Sequence, residues 1–258
     1  MRHLILPLLL LSLSAPVPAA FAGPPPETVA SWRVRSVQLN EEGVRALNQH
    51  NVEAAEALFR GAIDLDSSNS VAALNLAGVL LAENRAKQSL PLLREHAAKR
   101  PGDASFQAAL GDAYCSTKRL GEAARHYRRA LAIQPSYPGI AAKLGTIYST
   151  QRQAAKAVEM YEAAVALNPR DWQSLANLSA LYLAQGKPLL AVESAQRSVR
   201  LNPRPDTWVA LAAAYQKAGD PANALLSFKR ATDLGNDDPK VAAAVRLLEA
   251  KAQAKERS

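Results

Sequence analysis

A single cysteine, Cys115, is all that the 258 residues contain, so no intrachain disulfide can form and the fold must be held by packing. Aromatic residues make up only 5%, and the apolar 48% is supplied largely by alanine. A chain of this kind, with few β-branched runs, favours closely packed helices over sheets. Beyond the first two dozen residues no apolar run approaches the ~20 residues that a membrane-spanning helix requires. Histidine is equally sparse: after His3 there are only His50, His96 and His126, with no H-x-x-x-H or H-E-x-x-H spacing to hold a metal. G-x-S-x-G and a phosphate-cradling glycine loop are also missing, and the pattern places no histidine to activate Cys115 as a nucleophile. The expectation is a non-enzymatic chain with no cofactor and no metal. Acidic residues fall short of basic ones, leaving a formal charge of +8 and a pI near 9.7. That balance suits either an anionic partner or plain solubility.

The opening residues, "MRHLILPLLLLSLSAPVPAAFAG", have the make-up of an export signal. Arg2 stands ahead of an apolar stretch, Leu4–Leu13, and Ala20 and Ala22 form an A-x-A cleavage site before Gly23. The apolar stretch is about half the length of a membrane span, and Pro7, Pro16 and Pro18 interrupt the segment. Residues 1–22 are therefore expected to be removed, and the mature protein to be periplasmic or secreted. Cys115 lies far from the cleavage point, which excludes a lipid-bearing N-terminal cysteine.

What the chain has in abundance is self-similarity. Residues 123–135 read "AARHYRRALAIQP" and residues 157–169 read "AVEMYEAAVALNP". Pro101, Pro135, Pro169 and Pro203 recur every 34 residues. Gly43, Ala77, Gly111, Gly145, Ser179 and Ala212 form a second ladder of almost the same period. Ala46, Leu80, Tyr114, Tyr148, Tyr182 and Tyr215 form a third. Such periods mark a solenoid, in which each unit buries the face of its neighbour. Small residues at Gly111 and Ala123 let two helices approach closely, while Tyr114 and Tyr127 fill the space beside them. Asn69, Asp103 and Asp171 are placed to cap a following helix, and Pro188 and Pro221 sit in a first turn, where a missing N–H costs little.

These residues resemble the tetratricopeptide repeat family, whose unit is a pair of antiparallel helices. The best matches are 104–137 (Leu110, Gly111, Tyr114, Ala123, Tyr127, Ala130, Pro135) and 138–171 (Leu144, Gly145, Tyr148, Ala157, Tyr161, Ala164, Pro169). The resemblance implies an all-α, right-handed superhelical solenoid of about six repeats, at 36–69, 70–103, 104–137, 138–171, 172–204 and 205–238. Residues 23–35 read as a stiff linker, with Trp32 available to pack on the first repeat. Residues 239–258 read as a capping helix and tail, with Val241, Val245 and Leu248 on one face. Two departures stand out. Pro91 lies inside a helix and His96 where a small residue is usual, which predicts a bent or loosened helix. Ala195 stands at the aromatic position, and its repeat is one residue short.

The resemblance also implies that the first helix of each pair lines a groove for an extended ligand. The candidate groove residues are Asn40, Val44, Val71, Leu74, Asn75, Asp112, Lys143, Thr146 and Asn177. The early ones form an apolar floor suited to anchoring a peptide side chain near Leu74, but equally to packing on the linker or on a second copy of the chain. Asn75 and Asn177 stand where related members clamp a ligand's backbone, since an amide donates and accepts at once. The carboxylate clamp of chaperone-binding relatives is absent, with Asn40, Val44, Asn75, Ser105 and Ala109 at its places. Arg125, Arg128 and Arg129, on a second helix, form a candidate basic convex patch for anionic lipid, polysaccharide or an acidic protein. A plain solvated helix face reads the same. Nucleic acid would suit the charge but is disfavoured, because no stacking aromatics are free of the core and the chain carries an export signal. The expected function is an exported scaffold that binds a protein segment and serves a cell-envelope complex.

Overall fold

The computed structural model describes residues 28–256 and shows thirteen α-helices and no strand among them. The chain divides after Asn69 into two compact units. The first unit holds α1 (Val29–Asn48) and α2 (Val52–Leu65). The second holds α3 (Ser70–Ala82), α4 (Ala86–Lys99), α5 (Ala104–Ser116), α6 (Leu120–Ile133), α7 (Ile140–Thr150) and α8 (Ala154–Leu167). It continues with α9 (Trp172–Ala184), α10 (Pro188–Leu201), α11 (Pro205–Ala218), α12 (Pro221–Asp233) and α13 (Pro239–Glu256). Within it each helix packs on the next, and α3 also meets α5 as α9 meets α11.

The expected leader, its cleavage site and residues 23–27 lie outside the described residues. Residues 29–35 are not linker but the first two turns of α1, capped by Thr28, whose hydroxyl accepts from Ser31 N–H at 3.3 Å. Beyond Pro26 nothing in the sequence stops a helix. Trp32 is 41% exposed. Elsewhere the 34-residue frame sets the first-helix starts at Ser70, Ala104, Trp172 and Pro205. The exception is α7, which begins at Ile140 because Gly139 takes a left-handed conformation with φ 74°. Asp103 and Asp171 cap α5 and α9 as expected, and the Asn69 amide nitrogen donates to Ser36 Oγ at 2.9 Å.

Small residues on the first helix of a pair receive a ring from the second. A Cβ at Gly43 would lie 2.6 Å from Phe59, at Gly111 2.3 Å from Tyr127 and at Gly145 2.8 Å from Tyr161. Tyr127 is buried to 1% exposure and Phe59 to 0%. The repeats that depart from this pattern adapt. The expected loosening at Pro91 does not break α4, which runs continuously from Ala86 to Lys99. His96 is buried there and stacks on Phe106, ring centroids 5.6 Å apart. Where Ala195 replaces the ring, the small position is Ser179, and its buried hydroxyl has no hydrogen-bond partner among the described residues.

The turn inside each pair repeats as faithfully as the core. His50, Asn84, Lys118 and Arg152 all adopt left-handed φ of 58–60°, and Gly186 and Gly219 adopt 69° and 79°. Two residues' worth of chain then folds back so that a backbone N–H caps the helix just ended. The donors Asn51, Arg85, Arg119, Gln153, Lys187 and Asp220 reach the carbonyls of Ala46, Leu80, Tyr114, Tyr148, Tyr182 and Tyr215 at 2.7–2.9 Å. The tyrosine ladder in the sequence thus also marks the carbonyls that end each first helix. At the far end Val241, Val245 and Leu248 of α13 close over Phe228, Ala212 and Ala224, which covers the last pair as a solenoid requires.

Two outcomes follow in thermal or denaturant unfolding. Tyr127→Ala is expected to cost about 3–5 kcal/mol, through the lost transfer energy and the void left above Gly111. Arg152→Gly is expected to stabilise by about 1 kcal/mol, because glycine removes the steric cost of a left-handed residue with a side chain.

Candidate functional site

Three of the groove residues expected from the sequence, and a fourth close by, come together in the second unit, along the first helices of three successive pairs. Asp112 on α5 accepts from Tyr127 OH and from Lys143 Nζ of α7, both at 2.5 Å. Lys143 Nζ also lies 5.7 Å from the Tyr127 ring centroid. One helical turn on, Thr146 Oγ1 and Tyr161 OH are 3.0 Å apart. The same core rings that fill the glycine gaps therefore carry hydroxyls to the open face. Burial and the Asp112 carboxylate push the Tyr127 phenol far above its ordinary value, so it stays a donor at any physiological pH.

Lys143, Thr146 and Tyr161 line a recess of about 260 Å³ with Asp171, Gln173 and Asn177. Asp171 is occupied with Ser174, accepting from its N–H and its hydroxyl. Gln173 and Asn177 are exposed, one turn apart on α9, and neither amide has a partner among the described residues. Ala142 and Asp171 are shared with a second recess of about 280 Å³, whose walls include Pro138, Ala141, Ala164 and Leu167. A strip of donors and acceptors thus borders an apolar hollow. Gln173 and Tyr161 were not among the expected residues; Gln173 occupies the same place in its repeat as Val71, so the periodicity alone could have found it.

The other expected groove residues behave differently. Asn40 is buried at 9% exposure, so its amide offers a ligand little surface. Val44 and Val71 are exposed and Leu74 and Asn75 half-buried. The hollow described here lies beside Pro138 and Leu167, not at Leu74. On α6, Arg125, Arg128 and Arg129 are exposed, as a patch requires. Arg128 also stands in register with Arg94, Glu162 and Gln196. Those three side chains reach the next repeat's tyrosine: Arg94 Nη2 donates to Tyr114 OH at 2.7 Å, Tyr182 OH donates to Glu162 at 2.5 Å, and Gln196 Nε2 donates to Tyr215 OH at 2.7 Å. The position is thus one that commonly ties one repeat to the next. Burial, together with the carboxylate of Glu162, pushes the Tyr182 phenol up to about 12. Among the described residues no group of three His, Cys, Asp or Glu could hold a metal ion. No described helix is long and apolar enough to cross a membrane.

Models of the tetratricopeptide repeat match residues 46–113, 143–205 and 207–242, and a further TPR repeat model matches 111–151. The chain carries tetratricopeptide repeats. Solved structures agree on the fold. YrrB, described as a TPR protein with an unusual peptide-binding site, aligns with a TM-score of 0.64 at 19% identity, over 73% of this chain and 97% of its own. PilF of Pseudomonas aeruginosa aligns at 0.69 and 18%, over 87% of this chain and 100% of its own. MamA from Desulfovibrio magneticus RS-1 aligns at 0.60 and 19%, over 67% and 98%. No curated protein matches the chain. At these identities the likeness shows the fold, an all-α tetratricopeptide solenoid.

The imidazoles of this solenoid make its stability pH-dependent. His96 is held below its ordinary value by burial and by Lys99. His126 is held down by burial and by Arg125, Arg129 and Arg94, while stacking on Tyr114 with centroids 5.2 Å apart. Its Nδ1 lies 3.0 Å from Gln107 Oε1. A base whose folded value is depressed takes up protons on unfolding. Its contribution is therefore complete above about pH 6.5 and drains as pH falls toward the lower folded value. Unfolding midpoints are expected to drop between about pH 7 and pH 5, and His126→Gln to flatten the slope.

Proposed function

We propose that the protein is an exported, non-enzymatic scaffold that binds an extended segment of another protein across α5, α7 and α9. The observation that carries this reading is the pair of uncommitted amides, Gln173 and Asn177, at the edge of the recess shared with Lys143, Thr146 and Tyr161. An amide side chain can donate to a peptide carbonyl and accept from a peptide N–H at once. The neighbouring hollow, walled by Pro138, Ala141 and Leu167, takes one apolar side chain of the same segment. YrrB's description as a peptide-binding TPR protein supports this use of the fold. The N-terminal signal supports export, and with it service to a periplasmic or secreted envelope complex. The absence of nucleophile, base and metal motifs from the sequence supports a binding role over a catalytic one.

The test is a displayed library of extended peptides selected on the protein from Gly23 onward. Selected ligands are expected to share an apolar residue, and Asn177→Ala is expected to weaken them about tenfold, the loss of one or two hydrogen bonds to a partly shielded amide. A photo-crosslinker placed at Gln173 should capture the peptide where one at Arg128 does not. Capture from Arg128 alone, lost in high salt, would instead move the binding surface to α6.

A further inference from the structure

The turns inside the helix pairs carry cations where a helix start ordinarily carries an acceptor. In the first and last pairs Asn51 and Asp220 cap α2 and α12 with their side chains, the residue types that an N-terminus favours. In the pairs between, the same place holds Arg85, Arg119, Gln153 and Lys187, and no side chain caps the helix. Lys118 and Arg152 occupy the left-handed positions just before two of them. A cation at the positive end of a helix dipole is repelled by it. Arg85, Arg119 and Lys187 therefore set positive charge on positive potential, whereas Lys118 and Arg152 also stand just past the C-terminus of the helix before, where a cation is favoured. Glu83 and Glu122 answer Arg85 and Arg119. Lys87, Lys118, Arg152 and Lys187 make no ion pair among the described residues.

Two of these turns border one open recess. Asn84, Arg85, Lys87 and Gln88 from one turn, with Ser116 and Lys118 from the next, line a recess of about 520 Å³. Three of those side chains are cations, the other three can donate hydrogen bonds, and no carboxylate is among the lining residues. Ala86 is its one apolar lining residue, so the recess lacks the apolar centre of a protein–protein contact. It presents no aromatic face on which a base could stack.

We propose that this recess binds a phosphate group, presented either by a soluble phosphate ester or by the headgroup of an anionic phospholipid. A tetrahedral anion with several oxygens is satisfied by convergent cations and neutral donors together. The uncompensated charge of Lys87 and Lys118 is the charge it neutralises. The site is separate from the amides of α9, and it stands or falls independently of the peptide-binding reading.

Lys118→Gly is the informative variant, because it removes a cation from the recess and at the same time relieves a left-handed residue at φ 60°. Its melting temperature is expected to hold or rise, so lost binding cannot be put down to lost fold. Inorganic pyrophosphate titrated by calorimetry and flotation with phosphatidylglycerol vesicles are the two probes, with phosphatidylcholine vesicles as the uncharged reference. Lys118→Gly and Lys87→Gln are each expected to weaken binding about fivefold, the contribution of one cation at an anionic surface. Arg170→Gln with Arg200→Gln, which removes two cations remote from these turns, is expected to change it less than about twofold at moderate salt. Binding of pyrophosphate without vesicles assigns a soluble ester, and vesicle binding competed by pyrophosphate assigns a headgroup. Failure of both probes to bind overturns the proposal, as does an equal loss in the Arg170 and Arg200 variant.

Discussion

The contact on which the rest of the structure depends is that between a residue with no side chain and a ring. At Gly111 and Tyr127, and again at Gly145 and Tyr161, there is no room for even a Cβ. The two helices of a pair can therefore close to the short end of the ~8–10 Å packing range only when one of them gives up its side chain. A helix of about 14 residues is marginal on its own. Its stability is borrowed from this contact and from the stacking of pair on pair. That is why a chain with one cysteine and few aromatics can fold without covalent staples.

The same rings link stability to recognition. Tyr127 and Tyr161 cross from the core to the open face and end in hydroxyls that hold Asp112 and Thr146 in place. The polar strip is therefore fixed by residues that are themselves among the most buried in the molecule, and a ligand meets groups that do not have to be ordered on binding. Asp112 and Lys143 neutralise each other. What remains unsatisfied at the strip is the pair of amides on α9, on which the proposed peptide binding rests.

The turns follow a different logic. Their left-handed residue is set by the backbone geometry needed to end one helix and start another, and glycine fills it in only two of six repeats. Lysine or arginine at such a position, beside an uncapped helix start, breaks two local preferences at once. Conflicts of that kind are expected where a site has been built at the expense of stability. Their coincidence with a recess lined by cations ties the departure to an anion.

Much of this was legible in the sequence. The 34-residue ladders set the helix pairs, the capping roles of Asp103 and Asp171, the first-turn prolines and the closing face of α13, because each is a local preference repeated in register. The small-and-large alternation also foretold which rings are buried. The conformation of residues 29–35 was not legible, since a proline-rich start says nothing of where the helix after it begins. Nor was the tolerance of α4 for Pro91 and His96, which rests on a stacking partner, Phe106, in the next repeat. The sequence listed Asp112, Lys143, Thr146 and Asn177 as equals of Asn40 and Leu74. The tertiary structure groups the first four along α5, α7 and α9, because which side chains meet depends on distances between helices. The repeat alone determined which helices pair and where each turn falls; packing decided which of the positions left free converge into a site.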